Sequence, residues 1–229
     1  NCKLYSCVHN ISTSIGIPVN FDLSNENQII ATIEKIKPDV IIHLGAITDV
    51  EKCELNKDLA LLINSRATDI IAKQSAKNNI FLLYLSTDYV FDGIDGLKKE
   101  DDLTNPICHY GHTKLEGENF IKKYDLDYCI ARTSTPFGLH PIKKSFPQFV
   151  VENIKNKNPT KVVTDQFTSP TYVPNLCKMI MEIIERRISG TIHIAGATRI
   201  SRFDLASLIV KRLSLNEQFL IPSKISEMN

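Results

Sequence analysis

This chain of 229 residues lacks an excess of charge of either sign, since 27 basic residues stand against 26 acidic ones and the net charge is +1. So balanced a chain carries no basic block that would indicate nucleic acid or an acidic membrane as a partner. No apolar run reaches the length of a membrane-spanning helix, and no signal-peptide pattern is present. We therefore expect a cytoplasmic protein with neither a nucleic-acid nor a membrane partner.

The sequence also lacks a C-x-x-C pair. Its six cysteines are scattered irregularly, at Cys2, Cys7, Cys53, Cys108, Cys129 and Cys177. In a chain of this length such spacing is typical of reduced thiols and not of a disulfide framework or a zinc site. We expect no metal ion.

The chain has no initiator methionine, because residue 1 is Asn and a predicted strand at residues 3–8 follows almost at once. Glycine is also sparse at this end, where Gly16 is the only one before Gly45. We therefore expect the numbered sequence to be a fragment of a longer protein.

Short apolar runs alternate with amphipathic segments along the first part of the chain. Predicted strands cover residues 40–44, 80–85 and 126–132, and predicted helices cover 24–36 (with Ser24 as N-cap), 56–77 and 109–123. Strand and helix in repetition predict right-handed crossovers and a doubly wound parallel sheet, the α/β Rossmann type.

The last third of the sequence predicts a smaller lobe that packs on the sheet. Its predicted helices cover residues 146–155, 175–187 and 203–213, and its strands cover 161–163 and 190–194. We assign residues 1–135 to a dinucleotide-binding domain and 136–229 to a smaller lobe for substrate.

Two strand ends are candidate ligand sites, because doubly wound sheets bind ligands beyond the carboxyl ends of their strands. One is Leu44-Gly45-Ala46, whose small residues would let a cofactor approach the backbone closely. Taken alone, this pair is more typical of a simple tight turn. The other is Leu85-Ser86-Thr87, where a buried strand ends in two hydroxyls.

Tyr110 and Lys114 form a Y-x-x-x-K spacing within a predicted helix, so phenol and ammonium lie on one helix face. A nearby cation favours phenolate and should lower the pKa of Tyr110 towards neutrality. Such a tyrosine can donate a proton to a carbonyl oxygen as hydride arrives, with the Thr87 hydroxyl on the same oxygen. The spacing alone is common by chance, but together with the Ser-Thr strand end it favours an active site.

Two segments resemble the dTDP-4-dehydrorhamnose reductase family of extended short-chain dehydrogenases/reductases: S-T-D-Y-V-F-D-G at 86–93 and Y-G-H-T-K-L-E-G-E at 110–118. Weaker similarities extend over nearly the whole chain, including D-Q-F-T-S-P-T at 165–171. The resemblance implies a Rossmann fold and NADP- or NAD-dependent reduction of a 4-keto group on a nucleotide-linked deoxysugar, as in dTDP-L-rhamnose biosynthesis. It also implies a homodimer as a candidate assembly.

The resemblance implies roles residue by residue. The catalytic set would be Thr87, Tyr110 and Lys114, with Tyr110 as the acid. The residues lining the cofactor would be Asp22, Leu44, Gly45, Ala46, Asn64, Ser86, Tyr110 and Lys114. The residues bordering the nucleotide sugar would be Thr87, Asp88, Tyr89, Arg132 and Ser134.

The sequence departs from the family in three places. The glycine-rich loop that binds pyrophosphate has no match here. No tryptophan follows residues 132–134, where Thr135-Pro136-Phe137-Gly138 stand instead, so the sugar and the nucleotide are left open. His9 and Asn10 offer neither an acidic group for a ribose hydroxyl nor an arginine for a 2′-phosphate, so NAD and NADP both stay open.

Two alternative functions use the same residues. An epimerase or dehydratase on a nucleotide sugar shares the Tyr/Lys pair, although a dehydratase needs a further acid-base carboxylate and Asp88 has no adjacent glutamate. A non-catalytic NAD(P)-binding subunit, resembling the regulatory partner of methionine adenosyltransferase, would also keep much of the motif.

Overall fold

A computed structural model describes residues 2–9, 13–139 and 144–228, so Asn10 lies outside the described residues. The chain forms two compact units. The first comprises the chain up to Ala131 together with Arg186–Ile192, and the second comprises Arg132–Glu185 and the chain from His193 onward. The expected domain boundary at residue 135 stays a prediction, while a late strand pairs with the sheet of the first unit.

The first unit alternates strands and helices. In chain order its elements are β1 Tyr5–Val8, β2 Ile17–Asn20, α1 Glu26–Ile36, β3 Val40–His43, α2 Val50–Leu55, α3 Lys57–Ala60, α4 Ala67–Asn78, β4 Phe81–Thr87, α5 His109–Lys122 and β5 Tyr128–Thr133, of which Arg132 and Thr133 belong to the second unit.

The main sheet of the first unit has four strands in the order β10-β5-β4-β3, where β10 is Gly190–His193. Strands β3 and β4 are parallel, with Val40 opposite Phe81 and His43 opposite Tyr84. Strands β1 and β2 form a separate parallel pair. The predicted α/β class with a parallel sheet is confirmed.

The core of the first unit lies between this sheet and its helices. Ile29, Ile33 and Ile71 from α1 and α4 pack with Leu82 and other buried residues of the sheet and α5. Full burial of each such side chain stabilises the fold by about 1.5–3 kcal/mol. This packing fixes the position of β4, whose last residues carry the candidate site.

Helix α1 begins one residue later than the sequence suggested. Its N-cap is Asn25, whose side chain accepts a hydrogen bond from the Gln28 amide at 3.1 Å. Ser24 instead donates its hydroxyl to Asp22 at 2.7 Å. The prediction of Ser24 as the cap was therefore wrong, because Asp22 captures the serine in a tighter local turn.

The segment predicted as one helix over residues 56–77 contains a change of winding. Between α3 and α4, Leu61–Arg66 forms a π-helical turn, which holds the buried Asn64 and Ser65. A π-turn inserts one extra residue into the helix and shifts the faces that follow it. Apolar spacing alone did not indicate this shift.

The described residues of the second unit form three helices and several short strands. Its elements are β6 Pro136–Phe137, α6 Phe146–Lys155, β7 Thr160–Val163, β8 Phe167–Thr168, β9 Thr171–Tyr172, α7 Val173–Arg186, β11 Ile200–Ser201, α8 Arg202–Arg212 and β12 Leu220–Ser223. Val150, Val162 and Val210 are among the residues of its core. The Ser145–Gln148 capping box begins α6, and Ser201 caps α8.

Among the described residues, no helix is both long enough and apolar enough to cross a membrane. All six cysteines lie in the described part of the chain, and none is paired with another.

Candidate active site

The strand β4 runs through Ser86 and ends at Thr87, so its last two residues are hydroxyl-bearing and buried. A short 3₁₀ turn, Asp88–Val90, follows directly. The Thr87 hydroxyl accepts a hydrogen bond from the Tyr89 amide at 3.2 Å and donates to Asp88 at 3.3 Å. The carboxyl end of the strand is thus a fixed polar corner.

The helix α5 brings Tyr110 and Lys114 to this corner on one face, four residues apart, and both side chains are buried. Its first turn is capped by a sulfur, since the Cys108 thiol accepts from the Gly111 amide at 3.4 Å. Tyr110 packs with Cys53 and Ala60, and its ring meets the Tyr89 ring edge-on with centroids 5.6 Å apart.

Two glycines let α5 approach the strand end closely. A Cβ at Gly111 would lie 2.2 Å from the Tyr89 carbonyl oxygen, and one at Gly117 would lie 2.6 Å from the Tyr84 hydroxyl. Real Cβ atoms do not come so near to such atoms, so any side chain at these positions forces the helix away from the strand. The glycines therefore set the depth at which Tyr110 and Lys114 lie.

Replacing Gly111 with alanine should destabilise the first unit. Alanine is the better helix former by about 0.5–1 kcal/mol, yet overpacking against the Tyr89 backbone should cost about 1–3 kcal/mol or more. Thermal unfolding followed by circular dichroism measures the net change. His112→Ala, at the exposed neighbouring position, is the matched control. A Gly111→Ala protein that unfolds at or above the wild-type temperature would contradict the close approach.

Burial raises the pKa of Tyr110 to about 12, and the hydrogen bond with the Thr87 side chain offsets only part of that rise. The expectation that Lys114 would lower this pKa towards neutrality is therefore wrong for this structure. The loss of hydration disfavours the phenolate more than the nearby groups favour it. Tyr110 stays protonated at neutral pH and is a proton donor held against Thr87.

The ammonium group of Lys114 is engaged within the protein. Its Nζ donates to the Leu85 carbonyl oxygen at 2.9 Å and lies 3.9 Å from the centroid of the Tyr84 ring. Burial lowers the pKa of Lys114 to about 7, against the opposing effect of the Glu118 charge. A lysine with such a pKa changes its charge in the physiological range, which suits a group that tunes proton transfer.

Asn64 connects the end of β3 to α5. Its side chain accepts from the Ile47 amide at 2.8 Å and donates to the Ile47 carbonyl and the Thr113 hydroxyl, each at 3.0 Å. These bonds place the loop that follows β3 beside the helix carrying Tyr110. Asn64 was predicted to line a cofactor, and in this structure its amide holds that loop.

The loop after β3 carries Leu44, Gly45 and Ala46 at the strand's carboxyl end. Leu44 is 54% exposed although it is apolar. A Cβ at Gly45 would lie 2.6 Å from the tip of Leu23, so glycine allows that side chain to pack against the loop. The open backbone and the exposed leucine would suit a partly apolar ligand at this position.

Sequence reasoning missed three buried polar residues beneath the site. Glu118 accepts the Ser86 hydroxyl at 2.6 Å, and the Tyr84 hydroxyl points to the Lys114 carbonyl oxygen at 3.4 Å. Thr68 hydrogen-bonds the His43 ring at 3.0 Å. The sequence does indicate Glu118, because it follows Lys114 by one helical turn and so shares its helix face. The sequence around Tyr84 and Thr68 is typical of an ordinary strand and an ordinary helix, and it does not indicate a role in the site.

The remaining predicted residues are placed as follows. Asp22 lies two residues beyond β2, and hydrogen bonds from the amide and hydroxyl of Ser24 lower its pKa. Arg132 and Ser134 are buried in the second unit, where the Ser134 hydroxyl hydrogen-bonds Thr168 at 3.1 Å and accepts from the Ser169 amide at 3.2 Å. The structure therefore brings together Thr87, Asp88, Tyr89 and Tyr110, with Lys114 one turn further along α5.

A family model described as the RmlD substrate binding domain matches residues 3–229. The chain belongs to the dTDP-4-dehydrorhamnose reductase family. The S-T-D-Y and Y-G-H-T-K segments suggested this family, and that resemblance is confirmed. The same two segments carry the Thr/Tyr/Lys arrangement.

Individual relatives agree with this membership. The dTDP-4-dehydrorhamnose reductase of Aggregatibacter actinomycetemcomitans is 33% identical over 195 residues, which are 82% of this chain and 66% of that protein. The crystal structure of dTDP-4-dehydrorhamnose reductase from Bacillus anthracis in complex with NADP is 32% identical, with a TM-score of 0.85 over 92% of this chain and 75% of that one.

The chain is also similar to a protein with a different name. The methionine adenosyltransferase 2 subunit beta of Bos taurus is 28% identical over 208 residues, which are 88% of this chain and 62% of that subunit. The chain thus spans about two thirds or less of the length of these curated relatives.

Proposed function

We propose that this chain carries the catalytic residues of an NADP- or NAD-dependent reductase that reduces the 4-keto group of a nucleotide-linked deoxysugar. The observation that carries the proposal is the buried contact of Tyr110 with Thr87 at the carboxyl end of β4, with Lys114 one helical turn further along. A protonated phenol beside a fixed hydroxyl is what a ketone needs at its oxygen as it becomes an alcohol.

In this proposal Tyr110 is the acid. The phenol proton passes to the carbonyl oxygen, while the Thr87 hydroxyl hydrogen-bonds the same oxygen and orients it. Because burial holds the pKa of Tyr110 at about 12, the proton leaves only when a stronger base appears. The oxygen of a ketone receiving hydride becomes such a base, an alkoxide.

The residues present fit a dinucleotide at the carboxyl ends of β3 and β4. Leu44, Gly45 and Ala46 offer open backbone there. The resemblance assigns Ser86 and Lys114 to the same cofactor, and in this structure both side chains are buried and hydrogen-bonded to Glu118 and Leu85. Asn64 would support that loop, and Asp22 is the candidate for the adenine end. A reduced nicotinamide, when bound, supplies the hydride that the carbonyl carbon accepts.

For the sugar nucleotide we propose Asp88 and Tyr89, which border Thr87 and Tyr110 in the first unit. The roles at the nucleotide sugar that the resemblance assigns to Arg132 and Ser134 stay predictions. Since no tryptophan follows Ser134, the sugar and base need not be those of the bacterial rhamnose enzymes.

The test is a panel of nucleotide-linked 4-keto sugars incubated with the protein at its full natural length and NADPH or NADH. Loss of absorbance at the wavelength of the reduced nicotinamide, with formation of the matching deoxysugar, is the expected result. Tightly held NAD that recycles without net loss would indicate an epimerase or dehydratase instead. No turnover of any substrate would contradict the proposal.

The similarity to methionine adenosyltransferase 2 subunit beta supports a second candidate, a dinucleotide-binding regulatory subunit. The presence of Thr87, Tyr110 and Lys114 together favours the reductase, although such a subunit would keep much of the same motif. A methionine adenosyltransferase co-purifying with the protein, together with a silent keto-sugar panel, would favour the subunit.

A further inference from the structure

Three charged residues recur at every fourth position of α5: Lys114, Glu118 and Lys122. Such spacing places them on one side of the helix, with charges of alternating sign. The first is buried against β4, and the last is 40% exposed at its side chain. The carboxylate between them is fully buried, and a buried carboxylate is rare unless other groups compensate its charge.

The partners of Glu118 include a hydroxyl and an ammonium group. One carboxylate oxygen accepts the Ser86 hydroxyl at 2.6 Å, and the other lies 3.9 Å from the Lys122 ammonium. Ser86 directly precedes Thr87 and directly follows Leu85, whose carbonyl oxygen receives the Lys114 ammonium. Glu118 is therefore bound to the same stretch of strand that orients Thr87 and Lys114.

Among the described residues, the titratable groups near Lys114 include His43 on β3, Tyr84 on β4, and Tyr110 and Glu118 on α5. Burial lowers the pKa of His43 to about 3, so its ring is neutral at pH 7. The phenols of Tyr84 and Tyr110 have raised pKa values and are neutral as well. Glu118 is the group whose charge raises the pKa of Lys114 against its burial.

We propose that Glu118 is a positioning residue for the reaction, whose buried carboxylate anchors Ser86 at the end of β4 and keeps the Lys114 ammonium charged beside the Leu85 carbonyl. The inference rests on the proposed function only in saying that the charge of Lys114 supports the reaction. The electrostatic link between the two residues can be measured without any substrate.

The primary experiment is an NMR titration of Lys114 in protein labelled with ¹³C at the lysine ε-carbon, with the signal assigned by Lys114→Met. Glu118→Gln removes the charge and keeps an acceptor for Ser86. The pKa of Lys114 should then fall by about 1–3 pH units, the effect of losing one opposite charge at close range. An unchanged or higher pKa would overturn the proposal.

Glu116→Gln is the matched control, because it removes the same charge from the same helix. Glu116 accepts the Ser65 hydroxyl at 2.7 Å and lies two residues from Lys114, so the two side chains do not share a helix face. In Glu116→Gln, the pKa of Lys114 should equal the wild-type value. An equal fall in both variants would show a general loss of negative charge and would also overturn the proposal.

A surface variant keeps the proposal testable if Glu118→Gln does not fold. Lys122→Met removes a half-exposed cation beside Glu118, so the carboxylate should act more strongly on Lys114 and its pKa should rise. If the pKa of Lys114 does not rise in Lys122→Met, the proposed link between Glu118 and Lys114 is contradicted.

In turnover assays, Glu118→Gln should move the high-pH limb of the rate profile to lower pH by the amount by which the Lys114 titration moves. If the NMR shift occurs without any turnover in the wild type, the link stands and the proposed reaction fails.

Discussion

Replacing Tyr110 with phenylalanine should lower the turnover of a 4-keto sugar by about 10²- to 10⁴-fold, the usual contribution of one general acid. The change removes only the hydroxyl, so the ring should keep its packing on Cys53 and Ala60 and its edge contact with Tyr89. Affinity for NADPH should stay close to the wild-type value. Single-turnover kinetics at saturating cofactor, with a separate titration of NADPH binding, separates the two effects.

Tyr124→Phe is the matched control. It removes another phenol hydroxyl from the first unit, one that hydrogen-bonds Asp69 at 2.8 Å. Its turnover should equal that of the wild type. Undiminished turnover in Tyr110→Phe would exclude Tyr110 as the acid, and equal losses in both variants would point to a loss of folded protein.

The protonation states also predict which residue limits the rate at high pH. Tyr110 keeps its proton up to a pKa of about 12, whereas Lys114 loses its charge around its pKa of about 7. A charged lysine that supports the reaction would therefore be lost long before the phenol ionises. The high-pH limb of the profile should follow Lys114.

The arrangement of strand, turn and helix around the site could be predicted from the sequence. The apolar run predicted a strand over residues 80–85 that gives way to two hydroxyls, and the observed strand extends two residues further, to Thr87. The four-residue spacing of Tyr110 and Lys114 predicted their common helix face. Both signals are local in the chain. They also suffice to bring Thr87 to Tyr110 once the sheet is known to be parallel.

The electrostatics could not be predicted in the same way. The spacing shows that Lys114 shares a face with Tyr110, but not that both side chains lose nearly all of their hydration. The depth at which these side chains are buried depends on the tertiary packing that Gly111 and Gly117 allow. The two glycines in the sequence did not by themselves indicate that packing. The predicted direction of the Tyr110 pKa was wrong for that reason.

Contacts between distant residues account for the other differences. The Ser86–Glu118 pair joins residues 32 positions apart, and Asn64 reaches Thr113 across 49. The late return of β10 to the first sheet depends in the same way on pairing that no local pattern indicates. His43, an isolated polar residue in an apolar strand, hydrogen-bonds Thr68 across 25 positions of the chain.

His43 should make the first unit sensitive to acid. Its pKa is lowered from an ordinary 6.5 to about 3, first by burial and then by the charge of Lys114. Between pH 6.5 and 3, the His43 imidazole is therefore protonated in the unfolded chain but not in the folded one. The free energy of unfolding is highest above pH 6.5 and falls as the pH drops towards 3. The loss due to this residue should be about 2–3 kcal/mol at pH 4.5 and roughly 4–5 kcal/mol near pH 3.

His43→Gln isolates this effect, because glutamine cannot titrate and can still bond Thr68. The variant should be less stable than the wild type at pH 7, and the difference between the two should shrink or reverse by pH 4.5. Six of the seven tyrosines belong to the first unit and the chain has no tryptophan, so tyrosine fluorescence during urea unfolding follows that unit. His112→Gln, at an exposed position, should keep the wild-type dependence on pH. If His43→Gln lost stability in acid as steeply as the wild type, the carboxylates would be responsible, and the buried imidazole would not be the origin of the acid sensitivity.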